Sequence, residues 1–516
     1  MDERIEIGQH LFTGFPGLHI TPAFAQRMRE SKIGNVILFA HNVGTAGQLR
    51  RLCADIQELV TQATGYPAFI AIDQEGGVVS RLGKDCTIVP GAMAIAATGK
   101  PENAYSAGLI TGRELRAMGV NFNLAPVVDI NSNPDNPVIG VRSYGEDPRQ
   151  VIRYGLQMAR GLMDAGILCC AKHFPGHGDA AVDSHIGLPL VNKSPEELLT
   201  CELLPFQAAV DAGIPGIMST HILFPQLEPE KIPATMSRRI MTDLLKKRMG
   251  FKGLVLSDCM MMGAIANHYG TVNGMVAALK AGVDLMFASH RVELAAQASN
   301  RMLEELREGR INAEELKAST SLILRYKACL MTPKASEFAL VGSMANRQQA
   351  AAMYEQSLTA VHLPQGRLPA LGERPLFIGC LPFTATQASS PNMAKVSFAD
   401  AMKERFGGET AIMSENPDQK EVERIAALAP GHSSITIGTY NGHLRTGQLD
   451  VVRALARSSA PVICIALRNP YDLAGLPPQV STVAAYAYNE STLHAIMRLM
   501  SGEIDAAGVL PVTLKG

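Results

Sequence analysis

At 516 residues the chain exceeds one ordinary domain and has room for roughly two to four. Hydrophobic residues make up 47% and charged residues 18%, a composition that excludes disorder and supplies ample core. Lys+Arg number 47 against 48 Asp+Glu, a formal net charge of -1, so no basic field exists to attract a nucleic acid.

The N-terminus, Met1-Asp2-Glu3-Arg4-Ile5-Glu6, lacks a charged segment followed by a long apolar run. No stretch approaches the ~18 apolar residues of a membrane span. These features predict a cytoplasmic protein with no membrane partner. Along the first 330 or so residues, eight short apolar runs predict strands: His10–Phe15, Asn35–Ala40, Ala68–Asp73, Phe122–Ile130, Leu168–Phe174, Gly216–Ile222, Gly253–Asp258 and Asp284–Ser289. Stretches of helical period fall between them, among them Thr45–Val60, Ala104–Met118, Pro148–Ala165, Pro195–Ala212 and Arg238–Met249. Alternating β and α units with continuously apolar strands predict a buried parallel sheet. Eight such units predict a closed (β/α)8 barrel, of TIM type.

After helical patterns at Val292–Gly309 and Ala313–Leu330, Thr332-Pro333-Lys334 reads as a linker. A second alternation follows, with strands expected at Pro375–Cys380, Thr410–Met413, Ser434–Tyr440, Val462–Leu467 and Thr482–Tyr488. The fold class is therefore α/β, with a barrel over residues 1–333 and an open α/β (αβα) sandwich over 334–516. No GxGxxG turn marks a nucleotide site. The nine cysteines lie mostly inside apolar runs, two of them adjacent and none in a CxxC, which predicts free thiols in a reducing compartment.

Catalytic groups of such barrels project from the C-terminal ends of strands. Polar residues gather there: Asp73-Gln74-Glu75-Gly76-Gly77, Asp129, Lys172-His173, Ser219-Thr220-His221 and Ser257-Asp258. Asp258 closes an apolar run and precedes three methionines. It reads either as the N-cap of a following helix or as a carboxylate nucleophile of a retaining glycosidase. Residues 172–185 hold three histidines and two aspartates. His173 and His177 have the spacing of a helical zinc pair, but Pro175-Gly176 between them breaks any helix. The segment is otherwise open to histidines merely satisfied in a loop, or to a dyad. In the dyad, Asp183 accepts the imidazole N–H of His185 and favours the imidazolium that a general acid needs.

Read as KHFPGHGxxxxDSH, residues 172–185 resemble the signature of glycoside hydrolase family 3, in its β-N-acetylglucosaminidase branch with an Asp-Ser-His dyad. The resemblance continues at Asp73–Gly77, Asn136–Ser143, Gly253–Asp258, Ile437–Asn441 and Leu467–Tyr471, and so covers nearly the whole chain. It implies Asp258 as nucleophile, His185 as acid/base and Asp183 as its orienter. It also implies Asp73, Arg142, Lys172 and His173 as the residues that grip the sugar hydroxyls, with Arg81 and His221 as further contacts. The implied activity is exo-acting, retaining hydrolysis of terminal β-N-acetylglucosamine from muropeptide or chitin fragments, with no metal and no cofactor. The alternatives are phosphorolysis, a broader β-glucosidase, metal-dependent hydrolysis through His173, His177 and His185, and a silent sugar-binding protein. Two positions depart from the pattern: Val78 stands where Arg is common, and Ala180 where Thr is frequent. The absence of Trp favours short soluble substrates over crystalline polymer. One-domain members of the branch imply that the second domain is scaffolding or shapes the far side of the cleft, with scaffolding the favoured reading.

Overall fold

The computed structural model describes residues 1–180, 187–330, 335–381, 383 and 397–515. Eight parallel strands close a barrel in chain order: β1 (Leu11–Thr13), β2 (Asn35–Leu38), β3 (Phe69–Ile72), β4 (Phe122–Asn123), β5 (Leu168–Phe174), β6 (Gly216–Ser219), β7 (Leu254–Cys259) and β8 (Leu285–Ala288). β1 pairs with both β2 and β8, so the sheet has no edge. Each strand was expected from its apolar run, and all eight are present. The interior is packed, with Phe12 stacked on Phe287 at 4.2 Å and Phe69 edge-on to Phe122 at 5.6 Å.

The expected fourth strand, Phe122–Ile130, shrinks to two residues. Pro126 within that run has no N–H to donate to a ladder. Contact with β5 continues through carbonyls alone at that point, where Ala125 and Pro126 accept the Cys170 and Lys172 N–H groups, and donation resumes at Val128, whose N–H reaches the Lys172 carbonyl. The helix expected over Pro195–Ala212 divides into Pro195–Thr200 and Leu203–Asp211. Between the two lies Glu202, turned inward against the Lys193 ammonium. Helix Ala313–Ala328 closes the base of the barrel, adding Ile323 to the interior cluster and Thr320 Oγ1 to the buried ring of His10 at 2.9 Å. No described helix is long and apolar enough to cross a membrane. The expected linker Thr332–Lys334 lies outside the described residues.

The second sheet has the order β11-β10-β12-β13-β14-β9, built from β9 (Thr359–His362), β10 (Pro375–Cys380), β11 (Glu409–Met413), β12 (Ser434–Thr439), β13 (Val462–Ala466) and β14 (Ser481–Ala484). Five strands are parallel and were expected. β9 was not; it pairs antiparallel with β14 at the edge. Helices such as Phe398–Phe406, Gly447–Leu455 and Glu490–Met500 carry buried faces into the core of this sheet. That core also takes in Met93, Ala94, Ala97 and Val141 from the barrel side, so the two units share apolar packing.

Candidate active site

The site forms where β3, β5 and β7 end. Beyond β3 the chain turns through Asp73–Gly77. Gln74 N–H donates to Asn123 Oδ1 at 3.0 Å, and Gln74 Oε1 accepts the Arg81 N–H at 2.8 Å. Gly76 and Gly77 have φ of 93° and 55°, and a Cβ on either would lie 2.6 Å from the 90–91 backbone. Only glycine allows this close approach. The turn leaves Asp73 and Glu75 facing the ammonium that β5 carries.

Lys172 Nζ lies 2.7 Å from Asp73 Oδ1 and 2.7 Å from Glu75 Oε1. Arg142 grips the same glutamate twice, with Nε to Oε2 at 2.9 Å and Nη2 to Oε1 at 2.8 Å. Opposite charges thus alternate from Asp73 through Lys172 and Glu75 to Arg142. Such a forked pair fixes direction as well as energy. Burial alone would raise the Glu75 carboxyl, but Arg142 and Lys172 outweigh it and hold the group well below the usual carboxylate range. Burial likewise opposes the Lys172 charge, and Asp73 and Glu75 more than restore it. Asp73 is the most open of the four, with its side chain 20% exposed.

A second anchor orients the histidines. Asp129, fully buried, accepts His173 Nδ1 at 2.6 Å and the backbone N–H groups of His173 and His177. Burial would raise the Asp129 carboxyl, and its contacts with His173 and His177 lower it below normal. Burial, then the neighbouring His173, brings His177 down to about 4, so its ring is neutral at ordinary pH. The two rings meet edge to face at 5.6 Å. Among the described residues, no three His, Cys, Asp or Glu side chains form a group that could hold a metal ion.

Asp258 ends β7 on the wall of the same cleft. Its Oδ1 accepts the N–H of Cys259 at 2.6 Å, and the next helix, Gly263–Ala266, starts only after Met262. Asp258 is therefore a cleft residue rather than the N-cap of that helix. The cleft has a volume of about 280 Å³, and Asp73, Arg81, Arg142, Lys172, His173 and Asp258 all line it. Phe39, Met261 and His290 form apolar and aromatic parts of its wall.

His221 is not among the residues that line the cleft, and its ring is buried, with Nδ1 2.9 Å from Thr235 Oγ1 and Nε2 3.0 Å from the Cys259 carbonyl. Asp183 and His185 lie outside the described residues. Glu75 and Asp129 stood among the strand-end polar residues of the sequence without a role of their own. Glu75 stood in the quoted Asp73–Gly77 run, and Asp129 was visible as a carboxylate on an apolar run. Neither departure from the family pattern reaches the cleft: Val78 packs on the core of the second sheet, and Ala180 is buried in the barrel core.

A closed (β/α)8 barrel with carboxylates and cations gathered at the C-terminal strand ends defines a barrel enzyme. The family model for the glycosyl hydrolase family 3 N-terminal domain matches residues 6–326. Over 558 aligned positions the chain is 31% identical to "Beta-hexosaminidase A" of Pseudoalteromonas piscicida, covering 96% of this chain and 91% of that protein. A glycoside hydrolase family 3 β-N-acetylglucosaminidase from Paenibacillus sp. str. FPU-7 superposes with a TM-score of 0.91 at 34% identity, covering 100% of this chain and 99% of the other. NagZ from Neisseria gonorrhoeae, solved with N-trifluoroacetyl-D-glucosamine, gives 0.56 at 28% identity and covers 67% of this chain and 98% of its own. The chain belongs to glycoside hydrolase family 3 and is a glycoside hydrolase.

Proposed function

We propose that the chain is a retaining exo-β-N-acetylglucosaminidase that removes terminal β-linked N-acetylglucosamine from short cell-wall (muropeptide) or chitin fragments. The observation that carries this reading is the placement of Asp258 in one cleft with the Asp73–Lys172–Glu75–Arg142 array. A carboxylate beside a fixed set of donors and acceptors is what attack on a hydroxylated ring requires. The names of the relatives support the acetamido sugar as substrate. The bound carbohydrate is small, and the work is done in the cytoplasm.

Asp73, Lys172, Arg142 and His173 hold the ring hydroxyls, with Arg81 beside them. Asp258 attacks the anomeric carbon as the bond to the leaving oxygen breaks, and His185 gives that oxygen its proton. A glycosyl ester on Asp258 results. His185, now neutral, takes a proton from water as the water oxygen attacks the same carbon, and the ester bond breaks to free Asp258. Two inversions leave the anomeric configuration retained. Asp183 orients the imidazole and stabilises its charged form. The barrel over 1–333 carries this chemistry, and 334–516 supports it.

The test is turnover of an aryl β-N-acetylglucosaminide beside the matching aryl β-glucoside. The expected result is a strong preference for the acetamido sugar, with β-N-acetylglucosamine as the first product seen by NMR. Equal or reversed preference would make the chain a broader β-glycosidase. Formation of sugar 1-phosphate when phosphate is added would replace hydrolysis by phosphorolysis.

A further inference from the structure

Three consecutive residues join the second domain to the cleft. Gly140 packs against Asn469 so closely that a Cβ there would lie 2.7 Å from the Asn469 Oδ1. Val141 is buried in the core of the second sheet, alongside residues such as Tyr471 and Tyr486. Arg142, next in the chain, turns the other way and delivers its guanidinium to Glu75 in the cleft. Behind that guanidinium, Tyr486 of the second domain lines the same small cavity as Val141, Arg142 and Glu75.

The outer anchor is itself held. Asn469 Nδ2 donates to Asn441 Oδ1 at 2.9 Å, and Asn441 has the left-handed φ of 56°. A second tie grips the other end of the same segment, where buried Asn131 donates from Nδ2 to the Tyr471 hydroxyl at 2.7 Å. The turn Gly140–Arg142 is a single three-residue 3-10 turn. A piece that short has no stability of its own and takes its position from what it packs on.

We propose that the second domain is a positioning element for Arg142: Asn469 and the core around Val141 set where the guanidinium stands in the cleft. Scaffolding alone would leave the sugar contacts indifferent to this interface. A displaced arginine costs substrate binding even when the fold survives, because small misplacements at a binding site are felt strongly. The inference rests on the reading of Arg142 as a sugar contact.

The test is a pair of double-mutant cycles in the full-length chain. Val141→Ala and Asn469→Ala are each made alone and together with Arg142→Ala, and kcat, KM and Tm are measured on an aryl β-N-acetylglucosaminide. With Arg142 present, each interface variant is expected to lower kcat/KM by about 5- to 20-fold, chiefly through KM. With Arg142 already removed, the same change should cost less than about twofold. Val141→Ile, which keeps the apolar contact, should retain activity. Equal losses in both backgrounds, or no loss in a folded single variant, would overturn the proposal. Should Arg142→Ala itself cost nothing, the sugar-contact reading falls, and the positioning role falls with it.

Discussion

Two lysines are buried at opposite ends of the same barrel, each only 2% exposed, and their surroundings treat the charge in opposite ways. Lys172 at the C-terminal mouth faces Asp73 and Glu75, which more than offset the effect of burial and keep it protonated. Lys327 at the base donates to two neutral acceptors, Gln9 Oε1 at 2.8 Å and the Gly34 carbonyl at 3.0 Å, and lies 5.2 Å from the Phe69 ring centre. Burial there pushes its amine well below the usual value. Equal burial with unequal partners favours the charged form of Lys172 and disfavours that of Lys327.

The largest effect that sharpens this contrast is at the mouth. Lys172→Met should lower kcat/KM by at least about 100-fold, since it unpairs Asp73 and half-unpairs Glu75 in a desolvated cleft. The same change should cost about 3 kcal/mol of stability, read by denaturant unfolding. Activity within tenfold of the parent would break the comparison. Next comes the base. Lys327→Met leaves two buried acceptors unmet and should cost about 1–3 kcal/mol, with kcat/KM within about twofold. A large loss of activity with the fold intact would show that the base also serves the chemistry.

A third effect, without consequence for activity, is on pH dependence. Burial brings His10 at the base down to about 4. An unfolded histidine titrates near 6.5, so between those values the unfolded chain binds the extra proton. Stability is therefore full above about pH 6.5 and falls as pH drops toward 4, by up to about 3 kcal/mol for this group. His10→Gln should flatten the decline of Tm between pH 6.5 and 5 and leave kcat unchanged. An identical decline would contradict the assignment. His177, also brought to about 4, contributes in the same sense from the mouth.

Much of this architecture was legible because parallel strands buried on both faces read as apolar runs. β4 was misjudged in length because Pro126 interrupts a run that is mostly apolar. β9 was invisible, since Thr359–His362 is four residues long and only half-buried at a sheet edge. Asp73, Arg142, Lys172, His173 and Asp258 could be named from strand ends and motif, and the cleft unites them. Their partners could not be read this way. Glu75 meets Arg142 across 67 residues and Asp129 meets His173 across 44, pairings that exist only once the barrel has closed. His221 shares a strand-end position with the cleft residues, yet its buried ring is engaged by Thr235 and the Cys259 carbonyl.

A covalent bond between Asp258 and the sugar is the step on which the proposed function turns. The most direct measurement is mass spectrometry of the intact and digested protein after incubation with a 5-fluoro-N-acetylglucosaminyl fluoride, whose glycosyl ester forms faster than it is hydrolysed. A mass gain of one fluorosugar is expected, located on the peptide containing Asp258 and absent from Asp258→Ala. Normal turnover without any adduct, or an adduct on another carboxylate, would contradict it.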